Sequence, residues 1–234
     1  MIGLDELIKD AGADLFGYAD LSMLPEAAGQ GLPRGISIGI AINPDIVGRI
    51  PTGPHAEYVE AYDSLNARLD EICTRVGEYM VERGYRAVPQ TTAHVSAQRR
   101  THEKGYAAMP HKTVAALAGL GWITKSSLLV TRAYGSAVRF TSILTDAPLV
   151  TEPATYACLC GNCSLCADSC PGHAIRNKTW NVHVDRDELI DFAACRETVK
   201  SRGVASGKDH ATCGICMSVC PHTQQYVKNG MARG

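Results

Sequence analysis

No stretch of this 234-residue chain approaches the roughly 20 consecutive apolar residues that a membrane-spanning helix requires. The N-terminus, Met1-Ile2-Gly3-Leu4-Asp5-Glu6, also lacks the basic start and apolar centre of a secretory signal. These two absences set the expectation of a cytoplasmic protein with no membrane partner. An excess of either charge is lacking too: 23 lysines and arginines face 24 aspartates and glutamates, a formal net charge of -1. Such a balance gives no electrostatic reason to expect nucleic acid or an anionic membrane as partner. What the chain does have is cysteine, and ten of them in a reducing compartment argue for metal ligation rather than disulfides.

Four of the ten stand at Cys160, Cys163, Cys166 and Cys170, followed by Pro171, which reads as the C-x2-C-x2-C-x3-C-P run of bacterial ferredoxins. Three thiolates so spaced can wrap one face of a [4Fe-4S] cube, while the fourth points at a neighbouring cluster. A second, altered run follows at Cys213, Cys216 and Cys220-Pro221, and Cys195 is the remaining cysteine between the two. Eight thiolates fit two cubes. The crossed-ligand logic assigns Cys160, Cys163, Cys166 and Cys220 to one, and Cys170, Cys195, Cys213 and Cys216 to the other. Structural zinc is the alternative, but zinc sites usually show two well separated C-x2-C pairs. Cys158 lies out of register with the run, and Cys73 falls on the apolar stripe of a helix.

With 45% hydrophobic residues the chain is more than a bare ferredoxin. Leu4 to Lys9 reads as a short helix and Leu15 to Ala19 as a strand. Gly35 to Ile42 places isoleucine at every second position with small residues between, a second strand whose Gly35, Ser37 and Gly39 leave room for a backbone or a flat ligand. The apolar spacing from Ala56 to Arg83 predicts the longest helix, and Tyr85 to Pro89 a returning strand. Residues 90–110 read as a polar, irregular connection. A helix from Thr113 to Leu120, a strand over 122–130 and a partner strand over 137–144 complete an α+β domain with a largely antiparallel sheet. The boundary is expected near Val150, giving domains 1–150 and 151–234.

His111 to Trp122, Lys125-Ser126-Ser127-Leu128, Leu144 to Leu149 and both cysteine runs resemble the epoxyqueuosine reductase family. Through the same architecture they also resemble the reductive dehalogenases. The resemblance is specific from about residue 111 to 222, and it is to a short member without the C-terminal helical-repeat extension. It implies a nitroreductase-like mixed sheet with covering helices that holds cobalamin, then a ferredoxin-like domain whose two [4Fe-4S] clusters pass low-potential electrons to the cobalt. Gly119, Gly121, Trp122, Lys125, Ser126 and Ser127, beside the strand at Gly35, Ser37 and Gly39, are then expected to bind the cofactor. Nitroreductase-like folds also serve flavin, which stays open as the alternative.

Two departures shape the functional expectation. The family's aspartate at the strand end is replaced by Val88-Pro89-Gln90-Thr91, with no acid, and Thr124 stands where the family has glycine. The expectation is therefore a reductase of a small molecule, with tRNA not a partner and ferredoxin or flavodoxin as electron donor. A reductase needs an acid near its substrate, and Glu103, Tyr106 and His111 are the candidates. A non-catalytic electron carrier that activates a corrinoid or flavin partner is the other class of reading.

Overall fold

The structure, a computed structural model, describes residues 3–52, 56–101, 107–181, 183–206 and 212–232. Its elements run α1 Leu4–Asp10, β1 Leu15–Asp20, α2 Glu26–Gly29, β2 Arg34–Ala41, α3 Pro44–Arg49, α4 Ala56–Val81, β3 Ala87–Pro89, α5 Thr92–Thr101 and α6 His111–Leu117. There follow β4 Trp122–Ile123, β5 Leu129–Val130, β6 Val138–Thr145, α7 Leu165–Asp168, α8 Arg186–Leu189, α9 Phe192–Ser206, α10 Ile215–Ser218 and α11 Pro221–Met231. The chain packs as two compact units. One comprises Met1–Ile40, Leu65–Leu120 and Arg139–Thr155, the other Ala41–Ser64, Gly121–Val138 and Tyr156–Gly234. Segments 41–64 and 121–138 thus precede Val150 in sequence yet pack in the second unit.

The first unit is built on a four-stranded sheet in the order β1-β2-β6-β3, with β1–β2 and β3–β6 antiparallel. Alternation along β2 explains its place. Ile36, Ile38 and Ile40 enter one core with Leu69, Ile72, Val76 and Met80, the apolar stripe of α4. The small residues serve α6: a Cβ on Gly35 would stand 2.7 Å from Val114, and one on Gly17 would stand 3.0 Å from the Ala118 carbonyl. At these two positions the room left by missing side chains is therefore taken by a helix. Cys73 is fully buried in the same core, with its thiol donating to the Ser142 carbonyl. Burial pushes that thiol up to about 12, so it behaves as a small apolar residue.

Three local expectations are corrected. The connection over 90–110 contains a helix, α5, whose start is held by Asp70 of α4: the Thr92 backbone N–H and hydroxyl both donate to its carboxylate. Only Val95 of α5 is buried, so no apolar stripe announces it. The helix expected at Thr113–Leu120 begins at His111 and ends at Leu117. Finally, 122–130 is not one strand but the hairpin β4–β5, and β6 pairs with β3 rather than returning on it.

The hairpin belongs to the second unit and is closed by Gly121. A Cβ there would lie 2.1 Å from the Val130 carbonyl oxygen, an obstacle of backbone rather than flexible side chain. Gly121→Ala is therefore expected to cost roughly 3 kcal/mol or more, read as a fall of several degrees in the thermal midpoint; an unchanged midpoint contradicts this packing. Elsewhere in the unit α11 lies against α3. Tyr226 donates to the Ile42 carbonyl at 2.9 Å, and the Ser136 backbone N–H donates to Thr223 at 3.0 Å. Segments from the first 140 residues thus form part of the scaffold around the cysteine loops. Among the described residues no helix is long and apolar enough to cross a membrane.

Candidate metal centre

The eight candidate ligand cysteines all fall in the second unit, seven on short loops and single-turn helices and Cys195 within α9. Cys166 lies in α7 and Cys216 in α10, two helices in mutual contact. Gly214 makes the approach to α10 possible: its φ is 70°, and a Cβ would meet Tyr58 at 2.8 Å. The thiols act on one another electrostatically. Cys166 is raised by burial and then by the negative charge of Cys163 and Cys220. Cys195 is raised by burial and then by Cys170 and Cys213. Partly buried Cys216 is raised by burial and, among its neighbours, most by Cys213 and Cys195. Cys166 of the first run also acts on Cys216, ahead of Cys170, so the thiols of both runs and Cys195 lie within electrostatic reach of one another.

Backbone donors already face the sulfurs. The Ala174 N–H donates to Cys170 Sγ at 3.3 Å, and the Lys125 N–H lies against Cys160 and favours its thiolate. Among the described residues no three Cys, His, Asp or Glu side chains close on one point as a single metal ion demands. Eight thiolates offer two sets of four, the number that two [4Fe-4S] cubes take. The donor set fits clusters. Cys158 shares a hydrogen bond with Cys160, which lowers the Cys158 thiol and raises its neighbour's.

The residues expected to bind an organic cofactor are divided between the units. Gly35, Ser37, Gly39 and Gly119 belong to the first, and Gly121, Trp122, Lys125, Ser126 and Ser127 to the second; the candidate acid His111 is in the first. Lys125, Ser126 and Ser127 are buried in the β4–β5 loop, where the Thr124 hydroxyl bonds Ser126 Oγ and the Leu128 carbonyl. Trp122 packs edge-on to His222 with ring centroids 4.9 Å apart, one residue beyond the Cys220-Pro221 pair. Three deeply buried polar atoms find no partner among the described residues: Ser37 Oγ, Gln90 Oε1 and the Trp122 indole N–H. Native interiors rarely leave such groups unpaired. A cleft of about 620 Å³ in the first unit is lined by Gly3–Glu6, Tyr18, Leu149 and Val150, and none of the candidate residues borders it.

Glu103 and Tyr106 lie outside the described residues. His111 is partly buried at the start of α6, and its Nδ1 shares a 2.8 Å hydrogen bond with Ser142 Oγ. Burial holds its pKa down at about 4, helped by the charges of Arg139 and Arg99, so the ring is neutral at pH 7. Ser142 and Gln90 were not legible as site residues. The Gln90 N–H donates to the Ser142 carbonyl, tying the two to His111, and their only sequence signal is polarity at a strand end and within a buried strand.

The depressed His111 pKa has a measurable consequence. The unfolded chain takes up that proton near pH 6.5 and the folded one near 4, so stability is fully present above about 6.5 and is lost as pH falls through this window. Wild type is expected to lose ~2 kcal/mol more than His111→Gln over that range, discounted for partial exposure. Hydrogen exchange of the β2 and β6 amides reads it; parallel losses in the two proteins contradict it.

Comparison with known proteins follows the same lines. Residues 159–223 match the 4Fe-4S double cluster binding domain. An epoxyqueuosine reductase of Synechococcus sp. (strain CC9605) is 38% identical over 112 residues, covering 44% of this chain and 32% of that protein. The chain carries a match to an iron–sulfur cluster domain and is similar to the epoxyqueuosine reductases. The Pseudomonas aeruginosa epoxyqueuosine reductase is 33% identical over 117 residues, 47% of this chain and 30% of its own length. The match thus spans about a third of these curated relatives. Among solved structures, a catabolic reductive dehalogenase superposes with a TM-score of 0.71 at 18% identity, over 98% of this chain and 33% of that one. An epoxyqueuosine reductase solved with an epoxyqueuosine-modified tRNA stem loop gives 0.60 at 17% identity, over 94% and 64%. The mixed α+β fold is shared with both.

Proposed function

We propose that the chain is a reductase that carries electrons singly through two [4Fe-4S] clusters to a cobalamin, for reduction of a small molecule. The observation that carries the reading is the match of residues 159–223 to a 4Fe-4S double cluster binding domain, with Cys166 beside Cys163 and Cys220, and Cys195 beside Cys170 and Cys213. Cys160, Cys163, Cys166 and Cys220 would hold one cluster in a ferredoxin-like arrangement, and Cys170, Cys195, Cys213 and Cys216 the other. A related dehalogenase structure is described as bearing on B12-dependent dehalogenation, which supports cobalamin over flavin, and the first unit would supply a nitroreductase-like sheet for it. Bound cobalamin supplies a low-potential metal able to reduce carbon–heteroatom bonds; the protein supplies orientation, burial and protons.

The chain's own groups suit part of that work. In the first unit Ser37 Oγ and Gln90 Oε1 are buried polar atoms with no protein partner among the described residues, and the amide edge of a cofactor would satisfy them. Neutral His111 can pass a proton along its bond to Ser142 but does not store one at pH 7. Proton supply would therefore rest on a stronger donor, with Glu103 and Tyr106 the candidates. Since Gln90 stands where the relatives' proposed acid would be, a small molecule is favoured over epoxyqueuosine in tRNA. A soluble ferredoxin or flavodoxin would be the donor.

Reconstitution under anaerobic, reducing conditions followed by gel filtration tests the cofactor. Corrinoid absorbance co-eluting with cluster-loaded protein is the expected result. Clusters without corrinoid would leave the electron-carrier reading in its place.

A further inference from the structure

The loop between β4 and β5 buries a lysine. Lys125 is 5% exposed, and its Nζ donates to the Cys163 carbonyl at 3.0 Å. A buried ammonium is costly unless a counter-charge and hydrogen bonds offset the loss of water. Among the described residues no carboxylate stands within ion-pair distance of it. What surrounds it is the first cysteine loop: the Cys163 carbonyl accepts its hydrogen bond, its own backbone N–H faces the Cys160 sulfur, and its charge reaches Cys158. The turn that carries it is rigid, because Thr124 bonds both Ser126 and Leu128, and the Ser127 N–H closes back on the Thr124 carbonyl at 2.9 Å. Such a side chain is fixed in place rather than snorkelling to water.

We infer that Lys125 is the counter-charge of the cluster held by Cys160, Cys163, Cys166 and Cys220, raising that cluster's reduction potential from within its ligand loop. The inference rests on the two-cluster reading above. It turns Lys125 away from the organic cofactor and makes it a positioning residue for electron flow. A cluster ligated by four thiolates is net negative and becomes more so when it takes one electron from a low-potential donor, which is oxidised in turn; no bond forms or breaks. A fixed positive charge therefore favours the reduced form over the oxidised one, and the effect is large where water is excluded.

The test is a redox titration followed by electron paramagnetic resonance on the holoprotein, comparing wild type with Lys125→Met, Lys125→Gln and Lys125→Arg, with iron assayed beside each. The Met and Gln variants are expected to shift one cluster toward the oxidised form at least tenfold, ~59 mV for one electron, and to leave the other where it was. Arg, which keeps the charge, is expected to titrate as wild type. Met and Gln variants with full iron and wild-type potentials overturn the inference. If Met and Gln lose the cluster and Arg keeps it, the counter-charge role stands; if all three lose it, Lys125 is a steric support and the inference fails. A wild-type protein without iron overturns the two-cluster reading itself, which the assay separates from the other outcomes.

Discussion

Cys195→Ser is expected to lose about half of the bound iron, about four of about eight atoms per chain, while Cys158→Ser loses none. Cys195 belongs to neither run, yet its thiol stands with Cys170 and Cys213. Cys158 only shares a hydrogen bond with a ligand. Double variants sharpen the assignment, because substitutions within one cluster remove it once and substitutions in two clusters remove both. Cys163→Ser with Cys220→Ser is expected to retain about four irons, as either single variant does, whereas Cys163→Ser with Cys213→Ser is expected to retain essentially none. Equal loss in the two pairs contradicts the crossed ligand sets.

Removal of the iron is expected to unfold far more than the cysteine loops. Clusters ligated by thiolates supply folding energy to the segments that converge on them, and here those segments include chain from well before the first run. The start of α4 reaches Gly214 through Tyr58, α3 packs on α11, and Thr223 bonds the Ser136 backbone. The apoprotein should lose hydrogen-exchange protection over 44–52 and 121–138 together with 160–232. The β1-β2-β6-β3 sheet, cored by Ile36, Ile38, Leu69 and Val76, should keep most of its own. Loss confined to residues after 155 would mean that the early segments stand without the clusters. Loss throughout the chain would mean that the two units share one cooperative core.

The 4Fe-4S domain was legible because cluster chemistry imposes a cysteine spacing that nothing else in the chain imitates. Periodicity likewise announced β2, with isoleucines at 36, 38 and 40, and α4, with its stripe through Leu69, Ile72 and Val76. The parts that were not legible depend on distant partners. Helix α5 has one buried residue and takes its start from Asp70. Strand β6 carries apolar residues on both faces and pairs with β3 across two intervening helices and a hairpin, which local pattern cannot reveal. Among the site residues, Lys125 was visible through family resemblance as a cofactor contact, whereas its bond to Cys163 emerges only when the β4–β5 loop is folded. Burial of that loop is invisible in a stretch as polar as Thr124-Lys125-Ser126-Ser127.

The central claim is that two clusters in one chain feed electrons onward, and an anaerobic reductive titration of the isolated protein tests it most directly. The account predicts about eight irons per chain and two one-electron uptakes, with a paramagnetic signal that broadens when both clusters are reduced because they sit within reach of one another. Uptake of a single electron, or a protein that carries zinc and no iron, would contradict it.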